Sequence, residues 1–215
     1  MITIHHLGVS QSDRIVWLME ELDMAYELQW HHRGEDFLAP ESYRALHPAG
    51  TSPIIVDGDT VLCESLAIVL YVLNRYGNGR FTVSPESPRY SDYLYWLAFS
   101  QSYSANLMYG FMGAPGELPE GMPRTMAELG LEREQRGLVH MNDVLAERDY
   151  LAGGDFSATE FMNMFPLTSM SSFVNRDLSP YPNVQRYIER ISGRPAYQKA
   201  MQLAGPSSTP PSVSG

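Results

Sequence analysis

The sequence predicts two parts, a small α/β domain followed by an all-helical one, and three observations carry that expectation. Period-two apolar alternation is confined to the first third of the chain. Only helical periodicity appears after residue 88. Between the two lies a stretch rich in Gly, Pro and Ser, from Asn78 to Pro88, with no periodic pattern. The expected bounds are 1–80 for the α/β domain, 81–88 for a linker, 89–204 for the helical domain, and 205–215 for a flexible Pro/Ser-rich tail.

Ile2 and Ile4 alternate with Thr3 and His5, which marks a first strand ending near His6. Gly8 opens a turn. From Ser12 onward Ile15, Leu18, Met19 and Leu22 recur at i, i+3, i+4 and i+7, the spacing of a helix buried on one face, with Ser10 or Ser12 as its N-cap. Tyr26, Leu28 and Trp30 then alternate with polar residues as a second strand, parallel to the first through a right-handed crossover. A polar, partly helical connection from Arg33 to Leu46 leads to a hairpin. Ile54–Val56 and Thr60–Cys63 are its strands, and Asp57-Gly58 supplies the positive-φ turn positions. Pro53 heads the first of these strands, where a missing N–H is tolerated. After Glu64-Ser65, residues 66–73 are apolar throughout, so this helix is expected to be buried on all sides. Its first amides, lacking helical partners, suit an anion.

In the second half a long helix runs from about Tyr93 through Leu107, a Gly/Pro-rich break covers Gly110 to Pro123, and a further helix spans Met126 to Arg148. Ser157 with Glu160 forms a capping box, and Phe156 with Phe161 a hydrophobic staple. Val184, Tyr187, Ile188 and Ile191 mark a final helix before Gly193.

Composition narrows the functions. A net charge of −10 argues against nucleic acid and anionic membrane as partners, since both call for a basic patch. The single cysteine excludes an internal disulfide, a CxxC pair and a Cys-based zinc site, and suits a reducing compartment. No apolar run reaches the length of a membrane span and the N-terminus lacks a signal-peptide layout, so a cytoplasmic location is expected. His5-His6 and His31-His32 are no metal site, because neighbours on a strand point to opposite faces. Cys63 reads as a small apolar strand residue, and Arg14 as an ion-pair partner.

The order β-α-β-α-β-β-α followed by helices resembles the cytosolic glutathione transferases over almost the whole chain. Four motifs carry the resemblance: Gly50-Thr51-Ser52-Pro53, Glu64-Ser65, the capping box at Phe156–Phe161, and Pro182-Asn183-Val184 through Gly193-Arg194-Pro195-Ala196-Tyr197. His6 to Arg14, with Trp17 and Glu20-Glu21 after it, looks most like bacterial and fungal serine-type members. The resemblance implies a thioredoxin-like N-terminal domain and an all-helical C-terminal one, the glutathione transferase fold. It further implies glutathione as co-substrate with no metal, a small apolar electrophile as second substrate, and a homodimer. A cis Pro53 and pairing of the Ser52 backbone with the cysteinyl part of glutathione follow from it, with Glu64-Ser65 holding the γ-glutamyl end and Gln11 nearby. Where Thr51 stands the family often has Lys, so His47 or Arg44 is left to hold the glycine carboxylate. The helix bearing Tyr95, Phe99, Tyr103 and Leu107 is the one that faces the electrophile in the family.

The chemistry is activation of a thiol. A thiol of pKa ~8.5 is only a few per cent ionised at neutral pH, so the protein must favour the anion, and a serine hydroxyl with the N-terminus of the Ser12 helix suffices. Ser10, in the turn, is expected to be that donor and Ser12 the cap; the reverse assignment is the alternative. Glutathione-dependent reduction or ether cleavage is a second enzymatic reading, and a non-catalytic transferase-like binding or regulatory protein a third.

Overall fold

The computed structural model describes residues 1–112 and 125–206, and two compact units emerge in it, residues 1–82 with 191 onward, and 83–190. The first unit holds β1 (Ile2–Leu7), α1 (Asp13–Leu22), β2 (Tyr26–His31), α2 (Glu41–Arg44), β3 (Ile54–Asp57), β4 (Thr60–Cys63) and α3 (Ser65–Tyr76). Its sheet has the order β2-β1-β3-β4, with β1 and β2 parallel and the other two pairings antiparallel. This is the thioredoxin-like arrangement expected.

Three local expectations need correction. The hairpin turn is Gly58-Asp59, since Asp57 still pairs with Thr60, and only Gly58 takes positive φ (+59°). A single positive φ at the first central position is the requirement of a primed turn with glycine leading. Helix α3 is buried along one stripe, Ser65, Ile68, Val69, Val72 and Leu73, while Ala67 and Asn74 are exposed. Uniform apolarity hid that asymmetry, because exposed apolar residues are ordinary on protein surfaces.

Helix α1 is buried from Asp13 through Met19, not on one face alone. The cause is a last helix, α9 (Pro195–Ala204), that lies against α1 in the same unit. The sequence reading placed this segment in the helical domain and ended the helices before Gly193. Pro195 stands at the first helical position, where its missing N–H costs nothing. Trp17 meets Tyr197 edge-on, with centroids 5.0 Å apart. Arg194 grips Glu21 with two nitrogens at 2.6 and 2.7 Å, and Lys199 reaches Glu20 at 2.7 Å. The motif residues Trp17 and Glu20-Glu21 thus serve to seat α9. At the other end of α3, Asp57 accepts from Tyr71 at 2.8 Å and from Tyr76, tying the hairpin to that helix. Those donors hold its carboxyl below the usual range.

The second unit contains α4 (Tyr90–Met112), α5 (Met126–Glu147), α6 (Ala158–Phe165), a π-helical turn Pro166–Met170, α7 (Ser171–Phe173) and α8 (Pro182–Ser192), whose last two residues pass into the first unit. Helix α4 continues through Gly110, where a break was expected; the rest of that break, 113–123, and the tail from 207 lie outside the described residues. Helices α4 and α5 approach closely at Gly137, where an added Cβ would stand 2.9 Å from the Phe99 ring.

The capping box and staple form as read. Ser157 Oγ accepts from the Thr159 amide at 3.4 Å, Glu160 accepts from the Ser157 amide at 2.7 Å, and Phe156 meets Phe161 edge-on at 5.2 Å. Glu160 is fully buried and also accepts from Leu151 N and Thr159 Oγ1. Burial pushes its carboxyl up, and the hydrogen bonds oppose that. A second capping box, Thr125 with Glu128, starts α5; its Thr-x-x-Glu spacing was legible and overlooked.

Candidate active site

The site is built on the turn between β1 and α1. Val9 adopts φ +53°, unusual for a β-branched residue, and Arg33 holds the turn from the side. The Arg33 guanidinium donates to Gly8 O at 2.8 Å, Val9 O at 3.0 Å and Phe37 O at 2.8 Å. Three carbonyls bound to one planar fork fix the path of the chain into Ser10.

Ser10 Oγ is buried and meets three oxygens: Leu7 O at 2.6 Å, Ser12 Oγ at 2.8 Å and Ser52 Oγ at 2.8 Å. Ser52 precedes Pro53, and the bond between them is cis. The Ser10–Ser52 contact therefore joins the first turn to the start of the hairpin, across 42 positions of sequence. Ser12 is the positional N-cap of α1, but its side chain caps no amide. It turns to His6 Nδ1 at 2.7 Å, and the hydroxyl is wholly buried. The helix is left with Asp13 in its first turn, whose carboxylate complements the dipole there.

His6 is fully buried in the sheet, edge-on to Trp30 at 4.3 Å. Burial, with His31 nearby, pushes its imidazole down to about 4. His5 faces the other way and its Nδ1 lies 3.0 Å from His31 Nε2. Among the described residues no group of three or more His, Cys, Asp or Glu could hold a metal ion.

A second group lies beside the first. Gln11 Oε1 accepts from Ser65 Oγ at 3.2 Å, which joins the residue after Ser10 to the start of α3. Ile68 N bonds to Glu64 O, so the three amides before it have no partner within the helix. Glu64 is exposed and holds φ +78°, a conformation a non-glycine residue keeps only where its surroundings impose it. Buried Ser65, three helix amides and an exposed carboxylate together can receive a group carrying both an anion and a cation.

The remaining expected residues are dispersed. Thr51 Oγ1 is engaged with Cys63 Sγ at 3.3 Å, and the thiol donates to Thr51 O at 3.4 Å. Cys63 is buried with Leu7, Tyr43 and Ile54, as a small apolar residue would be. His47 Nδ1 accepts from Ala49 N at 3.1 Å, which puts the proton of the neutral ring on Nε2. The Arg44 stem lies over Gly50, whose φ is +60°. On α4, Tyr95 is 47% exposed and Phe99 half-buried, whereas Tyr103 and Leu107 are buried. Tyr103 stacks on Phe99 at 5.6 Å, so those two deeper residues serve packing in their own unit. Sequence reasoning weighed His6 only as a metal ligand and as the first residue of a motif, and gave Arg33 no role in the site. His6 continues the inward face of Ile2 and Ile4, and a polar residue on that face was the available signal.

Comparison with known proteins agrees with this fold. Residues 5–80 match the glutathione S-transferase N-terminal domain family. Glutathione S-transferase 3 of Schizosaccharomyces pombe is 31% identical over 94% of this chain and 87% of its own length. Glutathione S-transferase 1 of Saccharomyces cerevisiae is 25% identical over 95% of both chains. A crystal structure of a glutathione S-transferase from Actinobacillus pleuropneumoniae superposes with a TM-score of 0.85 at 35% identity, covering 96% of this chain and 95% of that one. A sphingomonad glutathione S-transferase complexed with glutathione shares the fold, with a TM-score of 0.74 at 20% identity over 94% of this chain and 98% of that one. With its strands, its cis proline and its relatives in agreement, the chain belongs to the glutathione S-transferase family.

Proposed function

We propose that this protein joins the thiolate of glutathione to small apolar electrophiles, with Ser10 as the hydrogen-bond donor to sulfur. The observation that carries the reading is the 2.8 Å contact between Ser10 Oγ and Ser52 Oγ. A cysteinyl group paired to the Ser52 backbone brings its sulfur beside the Ser10 hydroxyl. Holding a thiol about two pKa units below ~8.5 takes roughly 2.7 kcal/mol. One hydrogen bond to a charged acceptor contributes about 1.5–3 kcal/mol, so a single hydroxyl suffices. Asp13 already occupies the first turn of α1, which leaves the hydroxyl the larger share. Ser12, wholly buried between His6 and Ser10, is not placed to reach a ligand directly.

In this reading the γ-glutamyl carboxylate binds at Ser65 and the first amides of α3, its ammonium pairs with Glu64, and Gln11 orients Ser65. His47 Nε2 and the Arg44 guanidinium are the donors available for the glycine carboxylate, because the Thr51 hydroxyl is engaged by Cys63. Of the four α4 residues expected to face an apolar acceptor, Tyr95 and Phe99 are the accessible ones. Half-exposed Leu62, Leu66 and Leu70 with exposed Val61 favour the two-fold dimer expected of the family. Among the described residues no helix is long and apolar enough to cross a membrane.

The test is glutathione binding followed by turnover with an activated aromatic halide. Ser10→Ala should lower kcat/KM about 10- to 100-fold, by the loss of one charge-assisted hydrogen bond, with glutathione affinity nearly unchanged. Unchanged turnover in Ser10→Ala would remove Ser10 from this role, and absence of glutathione binding in the wild type would overturn the whole reading.

A further inference from the structure

The single proton of the Ser10 hydroxyl fixes the direction of the hydrogen bonds around it. Leu7 O can only accept, and its oxygen stands 2.6 Å from Ser10 Oγ, so the single Ser10 proton lies between them. The contacts from Ser10 to Ser12 and to Ser52, both 2.8 Å, must then be donated by Ser12 and Ser52. The Ser12 proton being committed, the 2.7 Å contact between Ser12 Oγ and His6 Nδ1 must be donated by the ring. Only an Nδ1–H imidazole satisfies all four contacts together. His6 Nε2 is buried with no hydrogen-bond partner, so nothing at the far side of the ring competes for the choice of tautomer.

From this we propose that His6 is a positioning residue for thiol activation: its Nδ1–H sets the direction of a hydroxyl chain, His6 to Ser12 to Ser10, and thereby leaves Ser10 able to act only as a donor. Both Ser10 lone pairs are filled, by the Ser52 hydroxyl and by Ser12, whose hydroxyl lies at 2.8 Å and whose backbone N–H donates to the same oxygen at 3.4 Å. The Ser10 proton has two possible acceptors, the Leu7 carbonyl in the free protein and an anionic sulfur when one is present, and the anion is the stronger acceptor. Two hydroxyls donating into Ser10 polarise its O–H and strengthen its outward bond, by about a tenth to a third for each donor. Without the imidazole donor, Ser12 becomes free to accept, and the Ser10 proton acquires a buried neutral partner that competes with sulfur. The neutrality of the ring, held by burial, keeps it a single donor across the working pH range. This inference rests on Ser10 being the sulfur donor.

The experiment titrates bound glutathione in the whole protein by its ultraviolet thiolate absorbance, with kcat/KM measured in parallel. His6→Phe keeps a buried ring but removes the donor. His6→Asn places an amide N–H close to where Nδ1–H stands. His6→Phe is expected to raise the pKa of the bound thiol and lower kcat/KM about threefold to tenfold at a pH below that pKa, with glutathione affinity within about twofold of wild type. His6→Asn should recover most of the loss. Ser12→Ala interrupts the same chain without touching the strand, should match His6→Phe, and serves if the latter folds poorly. A thiol pKa unchanged in both His6→Phe and Ser12→Ala overturns the inference, as does a His6→Asn variant no better than His6→Phe. If wild-type protein binds glutathione with its thiol pKa at the ordinary value, the Ser10 assignment fails first, which separates the two readings.

Discussion

Acidification from about pH 7 to about pH 4.5 should destabilise this protein through His6. The imidazole is wholly buried and held neutral, pushed from 6.5 down to about 4 chiefly by burial and further by His31. In the unfolded chain the same ring returns to its ordinary value. Between the two values the unfolded state binds more protons, so stability rises with pH across that window and falls as the pH is lowered through it. The difference of about 2.5 pKa units corresponds to about 3 kcal/mol at 1.36 kcal/mol per unit. His5 and His31 are also pulled down by burial and add in the same sense. Glu134 and Glu160, pulled up by burial, act in the opposite sense. The informative quantity is therefore the difference between wild type and His6→Asn, which does not titrate and keeps a donor for Ser12. Urea denaturation of both proteins at the two pH values reads it. Wild type should lose about 2–3 kcal/mol more than the variant. Equal losses would refute the argument that a buried neutral His6 couples folding to pH.

Two further predictions concern the frame around the site. Glu160→Ala leaves the Ser157 and Leu151 amides buried without an acceptor and removes the capping box, and should cost about 4 kcal/mol in chemical denaturation; a loss under about 1 kcal/mol would mean other acceptors replace the carboxylate. Arg194→Ala takes two charge-assisted hydrogen bonds from a nearly buried Glu21, which keeps the Trp17 Nε1 donor at 3.0 Å, and should cost about 2 kcal/mol, the partial exposure of the arginine being allowed for. A double-mutant cycle with Glu21→Gln should return a coupling of about 1–2 kcal/mol, and a coupling near zero would show that α9 is seated by Trp17–Tyr197 and Lys199–Glu20 without this pair.

Much of the fold was legible because its codes are local. The alternation in Ile2–His5 and in Tyr26–Trp30 gave two strands, and Ser157-x-x-Glu160 gave a helix start, since every partner in a capping box lies within three residues. The motif order brought Ser10, Ser52, Gln11 and Ser65 to attention, and the structure brings these four together in hydrogen-bonded pairs. What escaped was α9, whose role is visible only against α1, and the two-sided burial of α1 that results. The burial of Tyr103 and Leu107 also escaped, because an aromatic stripe reads alike whether it meets a ligand or another helix.

The sequence by itself determined the strands, the start of α6 at its capping box and, through the order of its motifs, the family. Those properties depend on residues near one another in the chain. Only the tertiary structure decided what each site hydroxyl does. Ser12 reads as a cap from its neighbours, yet His6, six residues earlier on β1, turns its oxygen away from the helix. Ser10 reads as a turn residue, yet Ser52, 42 residues later, donates into it. A hydroxyl carries one proton, and its direction is set by which acceptors the fold places within reach; periodicity and spacing carry no record of that choice.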